Sequence, residues 1–146
     1  MTLTPRGRPP SESSGKRISD LMDLSPLFKS VIDQDRAPVV ICDTNHIVVY
    51  MNPAAVEHYY KHGGSAIIGI HIFDCHSPKS GQIIRDVVDW FAKDKDNNIV
   101  HTFYNEEQNK DVYMVALRDD DGELIGYYEK HEYRDRDDSP FYAFKK

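Results

Sequence analysis

The chain has 146 residues and a formal net charge of −6, which suits one domain with tails and argues against broad nucleic-acid binding, since that needs a basic face for the phosphates. No apolar run approaches the roughly 20 residues that span a bilayer, and the N-terminus carries no apolar signal region. Two cysteines, Cys42 and Cys75, are too few for a disulfide framework, so a reducing, cytoplasmic setting is expected.

Residues 1–19 contain Pro5, Pro9, Pro10, Ser11, Ser13, Ser14 and Gly15 with hardly any apolar side chain. Such a segment buries too little surface to offset its ordering entropy, and a disordered tail is expected. Over residues 18–32 the apolar positions Ile18, Leu21, Met22, Leu24, Leu27, Phe28, Val31 and Ile32 recur at helical spacing. Ser25-Pro26 suits a second helix start within this stretch, and a flanking helix is assigned to 20–36.

Two β-rich runs, Pro38 to Cys42 and Ile47 to Met51, flank the turn-forming Asp43-Thr44-Asn45 and predict a hairpin. Asn52 is a good helix cap and Pro53 fits the first helical position; that helix is expected to end at Gly63-Gly64. After Pro78, the residues Ile83, Ile84, Val87, Val88 and Phe91 make one apolar helical stripe. Ser77 or Ser80 suits its cap, and Asp96-Asn97-Asn98 its stop. Strands are predicted over Ile99 to Tyr104, Val112 to Leu117 and Leu124 to Tyr133, the last two joined by Asp119-Asp120-Asp121-Gly122. The order β-β-α-α-α-β-β-β predicts an α+β fold, a five-stranded antiparallel sheet with helices packed on one face. The domain is assigned to 37–134 and a C-terminal tail to 135–146.

Several pieces of this order resemble the PAS domain, a sensory α/β module of signalling proteins. The run Val39-Val40-Ile41-Cys42-Asp43 with Ile47 to Ala55 is similar to its first hairpin and helix start. Ile68-Gly69 resembles the Ile-Gly before the middle helices. Asp74-Cys75-His76-Ser77-Pro78-Lys79-Ser80 resembles a bacterial subgroup with Cys-His-Pro-Pro-Lys-Ser, apart from Ser77 where that subgroup has Pro. The stretch Ala116 to Gly126 resembles the closing hairpin. The resemblance covers about residues 26–134 and implies a sensor that binds a small molecule or pairs with a partner. No output module follows before Lys146, so output is expected to run through association. A homodimer is expected, with residues 18–32 and the outer sheet face as the candidate seams, together with a signalling partner protein and no nucleic acid or membrane partner.

Cys75 and His76 are the sharpest chemical candidates. His71 lies one helical turn before Cys75 if that segment is helical, and His and Cys ligate zinc or haem iron. The set falls short of four ligands, and the long helix carries no histidine over residues 80–92. A buried, inert Cys75 is the plain alternative, and a reactive thiol near a helix start is another. Lys79 and Ser80 suit an anion at a helix N-terminus, against a solvated lysine and a capping serine. His101 and Tyr113 are candidate ligand contacts from the strands. Tyr59, Tyr60, Trp90, Phe91, Phe103 and Tyr104 supply aromatic surface for a cavity or a core. No catalytic motif is present, and no cofactor is assigned. Three functions remain open: a ligand-binding, dimeric sensory module, a ligand-free interaction module, and a small haem, metal or thiol redox sensor using Cys75 and His76.

Overall fold

In a computed structural model that describes residues 22–143, the chain divides into two units, residues 1–34 and 35–146. The expected disordered tail, and Ile18 and Leu21 of the flanking stretch, lie outside the described residues. In the first unit, helix α1 spans Ser25–Asp33, shorter than the 20–36 expected, and residues 22–24 are not helical. The local chemistry places its start: Asp23 Oδ1 accepts the Ser25 N–H at 3.0 Å, and Pro26 occupies the first turn, where its missing N–H costs nothing. Lys29 and Asp33 pair one turn apart at 2.7 Å.

The second unit holds strands β1 (Val40–Asp43), β2 (Val48–Met51), β3 (Ile99–Asn105), β4 (Lys110–Arg118) and β5 (Leu124–Tyr133). They form one antiparallel sheet in the order β2-β1-β5-β4-β3, which is the predicted fold. Between β2 and β3 run helix α2 (Pro53–His58), three short 3₁₀ turns, and the long helix α3 (Pro78–Lys93). The β1–β2 turn is built by Asp43, whose Oδ1 accepts from the N–H groups of Asn45 and Ile47 at 2.9 and 3.0 Å. Gly126 lets β5 lie against β1, because a Cβ there would overlap the Cys42 carbonyl oxygen.

Asn52 joins the hairpin to α2. It is fully buried, and Oδ1 accepts the N–H of Val39 and of Ala55, each at 2.9 Å. Its Nδ2 donates to the Ala37 carbonyl at 3.1 Å. One side chain therefore caps the helix and satisfies the strand entry, which is why a buried amide is tolerated. Helix α2 stops at His58, ahead of the expected Gly63-Gly64, and the chain reaches Gly63 through the 3₁₀ turn Tyr60–His62.

Helix α3 is capped by Ser77, whose Oγ accepts the Ser80 N–H at 3.2 Å, and it buries Val87, Val88 and Phe91 in the core, with Gly81 against Phe73. Ile83, expected on that stripe, is exposed. At about 100° per residue it lies roughly 90° from the stripe's centre. The helix ends at Lys93 with Asp94 as its cap, before the Asp96-Asn97-Asn98 stop. Strand alternation divides the sheet into two faces. Val112, Met114, Tyr127 and Cys42 point to the helices and are buried, whereas Tyr113, Val115 and Tyr128 point the other way.

Candidate functional site

Sheet and helices of the second unit enclose a cavity of about 640 Å³. Its floor is the inner face of the sheet: Val40 and Cys42 of β1, Met51 of β2, Met114 of β4, and Tyr127, Glu129 and His131 of β5. Ile84 of α3 and Ile67 and Ile72 of the middle turns close it with apolar surface, and Tyr59 and His62 come from the chain after α2. Asp74, Cys75 and His76 frame the mouth, and all three are exposed.

The β5 residues carry most of the polar chemistry. Tyr127, Glu129 and His131 share the inner face because alternate residues of a strand do. The Tyr127 hydroxyl is 2.8 Å from His46 Nδ1 and also bonds the Cys42 thiol. Burial pushes the Tyr127 hydroxyl far up, with the neighbouring Cys42 adding to it, and pushes Cys42 up to about 11. Tyr59 is pushed up to about 12, first by burial and then by the Glu129 charge. His46 takes a left-handed φ of 67°, and burial followed by its neighbour His71 holds its pKa below the ordinary 6.5.

His131 is closely enclosed on the wall, with its side chain 5% exposed. Its Nε2 lies 3.2 Å from Glu129 Oε1, and its Nδ1 is buried with no hydrogen-bond partner. Nearby, Lys110 is buried with its ammonium 5.4 Å from the Tyr133 ring centre. Burial lowers its pKa, and the Glu129 charge opposes that. His58 is lowered too, by burial and then by Lys110.

The six residues singled out from the sequence occupy three separate places. Cys75 and His76 reach the cavity mouth, where His76 Nδ1 sits 2.9 Å from the Ile72 carbonyl and donates to it. Lys79 and Ser80 lie in the first turn of α3 and do not line the cavity; Ser77 provides the cap. His101 and Tyr113 lie on the far face of the sheet. There His101 Nε2 is 2.8 Å from Asp111 Oδ1, and Arg134 Nη2 donates to the Tyr113 hydroxyl at 2.9 Å. Tyr113 lines a shallow hollow with Ile99, Lys130, Glu132 and Arg134. His71 Nδ1 accepts the Phe73 N–H at 3.3 Å, and among the described residues no three His, Cys, Asp or Glu side chains converge as a metal site.

Sequence reasoning missed Glu129, His131, Tyr127 and Cys42 as cavity residues. The signal that locates them is the period-two register of β5. With Val112 and Met114 facing inward, antiparallel pairing to His131 and Glu129 brings those two inward as well.

A family model described as the PAS fold matches residues 32–130. The chain belongs to the PAS-fold family. Solved structures agree on the fold. The C-terminal domain of a Streptococcus mutans protein aligns with a TM-score of 0.58 at 18% identity, over 73% of this chain and 81% of that one. A PAS domain from Colwellia psychrerythraea aligns with a TM-score of 0.56 at 13% identity, over 76% and 97%. The PAS domain of BvgS from Bordetella pertussis aligns with a TM-score of 0.53 at 14% identity, over 79% and 89%. No curated protein matches the chain. Among the described residues of this PAS domain, no helix is long and apolar enough to cross a membrane.

Proposed function

We propose that this PAS domain is a sensory signalling module that holds a small molecule in the cavity under α3 and acts through association with a second copy and a signalling partner. The cavity carries the reading. Its volume of about 640 Å³ falls within the roughly 300–1,000 Å³ typical of ligand sites. Its walls are mostly apolar, with polar groups gathered at the Glu129–His131 end and at the mouth. A ligand-free interaction module would pack that volume with side chains.

The walls suggest how occupancy reaches the surface. The floor is a sheet tied together across five strands, whereas Ile84 belongs to α3 and Cys75 and His76 belong to the turn that feeds it. A ligand filling the cavity favours whichever placement of α3 gives it more contact, and so shifts the population of the surface that α3 presents. Association itself is supported by an apolar row on the far face of the sheet. Tyr50, Ile41, Tyr128, Val115 and Ile99 stand opposite one another across all five strands.

Native mass spectrometry beside the denatured mass tests the proposal. The expected spectrum shows a dimer that releases one small molecule per chain on denaturation. Equal native and denatured masses, with no shift of melting temperature across a small-molecule set, would remove the ligand-binding half. A monomer at every concentration would remove pairing.

A further inference from the structure

We infer that the cavity selects a small, largely apolar molecule that donates a hydrogen bond to His131 Nδ1 through a hydroxyl or amine group, and rejects anions. The inference rests on the ligand-binding reading above and narrows it to a chemical class.

The tautomer of His131 carries the argument. Its Nε2 faces Glu129 Oε1 at 3.2 Å. A carboxylate only accepts, so Nε2 must hold the proton. In the neutral ring Nδ1 is then a bare lone pair. That atom is buried and unpartnered, on a side chain 5% exposed that lines the cavity. A buried acceptor left empty is unfavourable, because it lost its water on folding and gained nothing in return. The neighbouring hydroxyl does not fill the role: the Tyr127 OH is engaged by His46 and Cys42. A ligand O–H or N–H supplies the missing partner.

Charge gives the second half. Glu129 and Asp74 line the cavity, and among the described residues no lysine or arginine does. A carboxylate or phosphate would therefore meet two like charges on the lining and no cation there, the buried Lys110 that Glu129 feels lying outside the lining, whereas a neutral or cationic donor meets no such penalty. The remaining walls, Cys42, Met51, Ile72, Ile84 and Met114, accept an apolar body.

Calorimetric titration of the full chain with naphthylmethanol, methoxynaphthalene and naphthoate, substituted at the same ring position, separates the cases. Naphthylmethanol is expected to bind about tenfold tighter than methoxynaphthalene, the ratio one neutral hydrogen bond supplies, and naphthoate weakest of the three. His131→Phe keeps a ring in place and should bring the alcohol down to the ether. Glu129→Gln, at a half-exposed position, should narrow the same gap, because a side-chain amide accepts or donates and no longer fixes the tautomer. Long-range proton–nitrogen NMR spectra of the unliganded chain should show the His131 proton on Nε2. Equal binding of alcohol and ether, naphthoate as the tightest ligand, or a proton on Nδ1 would each overturn the donor class and leave ligand binding standing. Binding of none of the three would also overturn the donor class; equal native and denatured masses alongside would remove the ligand-binding reading as well.

Discussion

Cys42 and Cys75 have the same chemistry and opposite surroundings. Cys42 is 3% exposed on β1, and burial pushes its thiol from an ordinary 9.0 up to about 11. Cys75 is exposed at the cavity mouth. Since the thiolate is the reactive form, iodoacetamide should label Cys75 and leave Cys42 unlabelled in the folded chain, as read by peptide mass. The same shift makes a stability prediction. The folded-state value lies above the unfolded one, so the contribution is complete below pH about 9 and is lost as pH rises through about 11. The loss is roughly 2–3 kcal/mol. Denaturant unfolding near pH 8.5 and near pH 10.5 should show more than half of it in the natural chain and should show a flatter response in Cys42→Ala. Tyr59, whose hydroxyl is pushed up to about 12, adds a decline common to both proteins, so the difference between them reports Cys42 together with the Tyr127 hydroxyl that it bonds. Equal declines would refute the assignment.

The elements themselves were readable because each carries a local signal. Pro53 after Asn52 and the Asp119 to Gly122 turn mark ends that hold in the structure, and the three late strands lie within a residue or two of their predicted limits. The site was readable only where it is local. Cys75 and His76 belong to a short motif beside a helix start, and they do reach the cavity. His101, Tyr113 and His131 depend on which face of a strand each occupies, and a one-residue change of register reverses that. Arg118 is hidden for a different reason: most of its partners are backbone carbonyls far away in sequence. Its Nη2 donates to the carbonyls of Phe91, Asp94 and Asn97 at 2.7, 3.1 and 3.0 Å. Its Nη1 reaches the Gly122 carbonyl at 3.1 Å, and Nε reaches Asn98 Oδ1 at 2.6 Å. One guanidinium thus closes the C-terminal end of α3 and ties it to the β4–β5 turn, as only five forked donors can. Arg118→Lys keeps the charge and removes the fork. It should cost about 2–4 kcal/mol in denaturant unfolding, since several carbonyls lose a charged donor together. A cost under about 0.5 kcal/mol, the range of ordinary surface changes, would mean that water replaces these bonds freely.

At the scale of the whole molecule, the two sheet faces divide the work proposed for the domain. The inner face bounds the cavity, and the outer face offers the cross-strand row from Tyr50 to Ile99. In the proposed arrangement, pairing through the outer face would keep the partner away from the cavity, and ligand and partner would communicate through the sheet and α3 rather than by touching. That separation would make the two proposed functions independently mutable. Ile99 lies at the open end of the row on edge strand β3 and is 59% exposed, so a charge there meets water in the lone chain and would be desolvated in a pair. Compared as lone chains, at dilutions where no pair forms, Ile99→Lys and the natural chain should therefore differ in unfolding stability by no more than about 0.5 kcal/mol. In sedimentation it should shift the protein from dimer to monomer. Native spectra of the monomer should still release the ligand mass, because no residue of the cavity has been altered. A variant that stays dimeric would move the seam away from this face. A variant that becomes monomeric and loses its ligand would show that the cavity is completed by the partner copy, and the division of labour between the two faces would then be wrong.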